Sequence, residues 1–98
     1  MSTKAMVYRP ASDLVMRRVG REAVVVPVRN RVGDLDSVFT LNEVACRVWE
    51  LLDGSTPVES IVTAICGEFD VEPDVASTDV ADLMRNLEEA QLVQRVEA

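Results

Sequence analysis

The residue types best suited to chemistry are scarce in this chain. Its 98 residues include no histidine. That removes Ser-His-Asp and Cys-His nucleophile systems, and histidine-based metal sites, at one stroke. Two cysteines, Cys46 and Cys66, stand far apart inside helical patterns, with no Cys-x-x-Cys spacing. They read as two buried free thiols. Carboxylates are plentiful, with 17 Asp and Glu residues, and carboxylates can serve as general acids or bases. Here, however, they fall on helix faces that read as solvated. The expectation is a protein with no enzymatic activity of its own and no cofactor.

Charge is the next guide to a partner. The formal net charge is −7, but it is unevenly spread. Residues 1–40 hold seven of the basic residues against four acidic ones, whereas residues 41–98 hold three basic against thirteen acidic. Such a change of sign between halves hints at a partner surface. No run is apolar enough for a signal peptide or a membrane span, so a cytoplasmic location without membrane contact is expected.

The elements that must position any site follow from the pattern of apolar residues. Residues 1–12 are polar and irregular and read as a flexible arm, leaving 13–98 as a single domain. Strands are predicted over 13–19, 22–28 and 37–41, with Gly20-Arg21 as a turn, "RNRVGDLDS" (29–37) as a polar loop, and Pro27 at a strand end or bulge. In the third strand Phe39 and Leu41 share one face and Val38 and Thr40 the other. The period then changes from 2 to 3.6. Asn42 is a good N-cap for a first helix that Gly54 ends. Thr56-Pro57-Val58-Glu59 restarts a second helix at once, with Thr56 as N-cap, Glu59 closing the box and Pro57 in the first helical position. "DVEPD" (70–74) breaks the chain, and a third helix runs from about Val75 to Ala90 with Val80, Leu83, Met84 and Leu87 on one face. "LVQRV" (92–96) adds a short extended tail. The predicted fold class is α+β, winged helix-turn-helix-like, with an N-terminal three-stranded antiparallel sheet followed by three helices.

This architecture suits two functions. A winged-helix transcriptional regulator would place its third helix in the major groove, but that helix carries Asp79, Asp82, Glu88 and Glu89 against Arg85 alone. DNA affinity rests on neutralising phosphates with Lys and Arg, so nucleic acid is disfavoured. The alternative is peptide capture. The third strand is a sheet edge unless something covers it, and an exposed edge is a template for an added strand. It can equally pair with a second copy to form a homodimer.

Several ordered motifs agree with the second function. They are Phe39-x-Leu41-Asn42 at the strand-to-helix junction, Leu51-Leu52-Asp53-Gly54 at a helix end, Thr56-x-x-Glu59-x-Ile61 at a helix start, and Asp79-Val80-x-x-Leu83 in the last helix. As an ordered set over about residues 13–93, they resemble the PqqD-like family of leader-peptide-binding domains, also called RiPP recognition elements. The chain departs from the family pattern at Gln91, where glycine is usual after the last helix. The resemblance implies a non-catalytic peptide chaperone. It would bind the leader of a ribosomally made precursor along Ser37, Val38, Phe39, Thr40 and Leu41, beside a helix wall of Val80, Leu83, Met84 and Leu87. It would then present the peptide to a modifying enzyme, often of the radical S-adenosylmethionine type, as in pyrroloquinoline quinone or related biosynthesis.

Overall fold

A computed structural model describes residues 6–27 and 38–96. Its elements run β1 (Val7–Pro10), β2 (Leu14–Val19), β3 (Glu22–Pro27), β4 (Phe39–Leu41), α1 (Glu43–Leu51), α2 (Val58–Phe69), α3 (Pro73–Glu89) and β5 (Val93–Val96). The expected sheet and three helices are present, with β2, β3 and β4 as the antiparallel meander in that spatial order. The loop predicted over 29–37 lies outside the described residues, as does Ser37.

The arm is the main correction. Residues 7–10, read from sequence as part of a flexible segment, form β1. This strand pairs antiparallel with β5, Val7 opposite Val96 and Pro10 opposite Val93. The physical reason is Tyr8, which is 2% exposed and part of the central apolar cluster. Burying a ring of that size stabilises far more than fixing a few residues costs. Burial raises the Tyr8 hydroxyl's pKa, with help from the Glu88 carboxylate beside it.

Local chemistry sets most of the other boundaries. Gly20 has φ +65° at the first central position of the β2–β3 turn, the place where a type II′ hairpin requires glycine. Pro27 closes β3 opposite Leu14 in a non-hydrogen-bonded pair, so its missing donor costs no ladder bond to β2. Asn42 caps α1, its Oδ1 accepting from the Ala45 N–H at 2.8 Å. Gly54 adopts φ +83° after that helix.

The α1–α2 turn differs from expectation. Thr56 does not cap α2 through a box with Glu59; α2 has no side-chain cap and begins at Val58, after Pro57. Instead the Asp53 carboxylate accepts from the Ser55 and Thr56 N–H groups, both at 2.9 Å, and from the Thr56 hydroxyl at 3.1 Å. The Thr56 side chain is therefore already committed. Those donors hold the Asp53 carboxyl below its ordinary pKa, the Ser55 N–H contributing most. Similarly, Pro73 does not only interrupt the chain but starts α3, its fixed φ suiting the first helical turn.

The core is apolar throughout, with no buried polar or charged residue among those described. Leu41, Val48, Ile61, Ile65, Val80, Met84, Leu87 and Leu92 fill it. Cys46 is a buried free thiol and Cys66 a half-buried one.

Candidate functional site

The hairpin turn determines which backbone groups of β4 are free. A two-residue turn closes on a hydrogen-bonded pair, here Val19 and Glu22, which face each other across Gly20-Arg21. Hydrogen-bonded and non-hydrogen-bonded pairs then alternate along an antiparallel ladder. On β3, residues 22, 24 and 26 bond toward β2, so Ala23 and Val25 bond toward β4. Their partners are Leu41 and Phe39. Val38 and Thr40 therefore turn their N–H and C=O groups outward, to the side where no described strand pairs. Side chains alternate as well: Leu41 is fully buried and Phe39 half-buried against the core, while Val38 is 47% exposed.

Beside the end of β4 lies a groove of about 380 Å³, beginning at Asn42, the residue that follows the strand. Its apolar lining comes from Val44 and Val48 of α1, Ile65 and Val71 from α2 and just beyond it, and Val80 and Leu83 of α3. Its polar lining is Asn42, Asp79, Asp82 and Asn86. On α3, Asp79, Leu83 and Asn86 recur at the spacing of one helix face.

The predicted helix wall divides into three. Leu83 is half-buried and lines the groove. Val80 also reaches it but is 1% exposed, so it forms the floor. Met84, also 1% exposed, lies on the other flank of α3, lining a separate cleft with Tyr8 and Arg95. Leu87 is wholly core. A hydrophobic stripe read from sequence cannot make this division, because core and groove positions are both apolar and one residue apart. Val44 and Val48 of α1 and the α3 acids also line the groove, though the sequence reading placed none of them in the binding site.

Among the described residues no cluster of three or more His, Cys, Asp or Glu side chains could hold a metal. Burial pushes the Cys46 thiol's pKa up, away from the reactive thiolate. The arginines of the helices are spent on carboxylates. Arg47 donates to both Glu68 oxygens at 2.8 and 3.1 Å and to Glu50 at 3.2 Å, and Arg85 pairs with Asp82. Arg18 of β2 joins Glu50 at 3.0 Å. These pairs are solvent-exposed, so each contributes little stability, but they leave no unpaired cation on the three helices for a nucleic acid. No helix among the described residues is long and apolar enough to cross a membrane.

What the described residues offer is an unpaired strand edge leading into a groove with aliphatic walls and a polar rim. Residues 22–93 match the family model described as coenzyme PQQ synthesis protein D (PqqD). A solved structure, TbiB1 in complex with the TbiA(beta) leader peptide, superposes with a TM-score of 0.72 at 27% identity, covering 88% of this chain and 94% of that one. No curated protein matches. The family match takes in β3, β4, all three helices and the start of β5, so the chain belongs to the PqqD family.

Proposed function

We propose that this protein binds the leader of a ribosomally made precursor peptide by strand addition to β4 and presents it to a separate modifying enzyme. The observation that carries this reading is the outward set of Val38 and Thr40 backbone groups on the strand that leads through Asn42 into the groove. Main-chain pairing supplies affinity to such an edge, and the pocket beside it selects alternate side chains. The peptide runs along residues 37–41, with Leu83 as the groove's α3 wall and Val80 as its floor; Met84 and Leu87 support that wall from the core. The PqqD membership and the leader-bound TbiB1 structure support the same role. The domain itself makes and breaks no bonds. The chemistry belongs to a cytoplasmic partner, for which a radical S-adenosylmethionine enzyme is the leading candidate.

Titration of the chain with synthetic leaders of short precursors encoded beside its gene tests this. At least one leader binds at micromolar concentration or better. Val38→Pro removes one outward donor at the start of an edge strand, where proline is tolerated. It keeps the fold by circular dichroism and weakens binding about tenfold relative to Val38→Ala, the effect of one well-formed hydrogen bond. Phe39→Pro instead breaks the ladder to β3 and unfolds the sheet. The reading fails if no leader binds, or if Val38→Pro binds as its alanine control does.

A further inference from the structure

Resting on the leader-binding reading, we infer that the groove selects a peptide segment in which an apolar anchor is followed or preceded closely by a lysine or arginine, and that Asp79 and Asp82 of α3 are the specificity-determining residues. The groove walls are aliphatic, but its rim is one-sided in charge. Among the described residues two carboxylates and two amides, Asn42 and Asn86, line it, and no basic side chain does. One amide is already in use, because Asn42 Oδ1 caps α1. Asp79 is exposed and makes no hydrogen bond or ion pair with any described residue. Asp82 is held by Arg85 alone, and Arg85 also lines the cleft on the other flank of α3.

Complementarity follows from where a strand on β4 would lie. Its side chains alternate, one set over the solvent face beside Val38 and Thr40 and the other toward α3. An apolar residue of the second set fits between the half-buried Val44 and Leu83. A long cationic side chain near it can lay its methylenes on the same aliphatic wall while its charge reaches the Asp79 carboxylate. An acidic side chain there would face the Asp79 carboxylate, which no described cation pairs, and an Asp82 carboxylate offset only by Arg85, which costs affinity and rejects wrong partners. The acidic rim thus sets the charge preference where the peptide meets α3, because the described groove residues all come from the acidic half of the chain.

The test is selection of a displayed library of random twelve-residue peptides on the immobilised full chain at low ionic strength. It is repeated on the double variant Asp79→Asn, Asp82→Asn and on Val38→Pro. The wild-type pool should show one apolar position with Lys or Arg enriched at a constant offset from it. The double variant should keep the apolar position and lose the basic one. In a selected peptide, Lys→Met should weaken binding to the wild type about fivefold, the scale of an exposed ion pair, and leave the double variant unchanged. That difference should shrink in high salt. An apolar position without basic enrichment, or the same basic enrichment on both chains, overturns this inference and leaves leader binding standing. No enrichment over the Val38→Pro chain overturns both.

Discussion

β1 and β4 are short strands of four and three residues, and each lies at the end of its sheet. Among the described residues, one is closed on both sides and the other on one. β1 pairs with β5, and Ala11 continues the tie by donating to the Leu92 C=O at 2.9 Å. Its opposite side meets the α1–α2 turn: the Gly54 N–H donates to the Tyr8 C=O at 3.0 Å and the Val58 N–H to the Met6 C=O at 2.9 Å. β4 bonds to β3 and leaves Val38 and Thr40 outward. An edge with its backbone satisfied is a piece of the scaffold, whereas an edge left open is a template for a partner. The difference also explains why the helices are so firmly packed around so little chemistry. They hold one edge shut and the other in place.

The strongest way to break this comparison is to attack the closed side. If β1 is scaffold, Tyr8→Ala should cost about 3–5 kcal/mol, as loss of a buried aromatic side chain does. Urea denaturation would measure it. A loose arm would give almost no change, and then the distinction between the two edges would disappear.

Helix α3 touches both regions, which allows a finer test. Met84 faces the cleft shared with Tyr8, and Leu83 faces the groove beside β4. Met84→Ala should cost about 2–5 kcal/mol and change leader affinity little once the fold is stabilised. Leu83→Ala should cost only about 1 kcal/mol, since part of its surface is already wet, and should weaken leader binding about tenfold. If both substitutions unfold the domain, α3 has no groove flank.

These two neighbours also mark where sequence reading stops. Features written in a few consecutive residues were legible: the Asn42 cap, Gly20 in its turn, Gly54 after α1, and the change from period 2 to period 3.6. Each depends on contacts within about four positions. β1 was not legible, because Val7–Pro10 is short and its partner β5 begins more than eighty residues later. Nothing local distinguishes such a strand from an arm. Leu83 and Met84 could not be separated for a related reason. Both are apolar, and only the tertiary packing that puts the groove on one flank of α3 and the Tyr8 cleft on the other gives them different roles. The free backbone of Val38 and Thr40 likewise needs the register, which the Gly20 turn fixes only once it is seen to span two residues.

The smallest predicted effect concerns how the closed side is held. Gln91 links α3 to β5 with φ +63°, and the turn is completed by Leu92 N–H donating to the Leu87 C=O at 2.9 Å. This is a Schellman-type helix end, in which glycine normally occupies the left-handed position. A side chain there costs roughly 1–2 kcal/mol. Glycine would relieve that strain but gain freedom in the unfolded chain, which returns part of the benefit. Gln91→Gly should therefore stabilise by about 0.5–1 kcal/mol, read as a higher urea midpoint with an unchanged slope. Gln91→Ala should give no such gain, because alanine meets the same penalty. Leader affinity should be the same for all three chains, since this turn supports β5 and β1 and lies away from the open edge. A gain in affinity with Gln91→Gly would mean that the closed sheet and the open edge are mechanically linked, and that β1 does more than complete the scaffold.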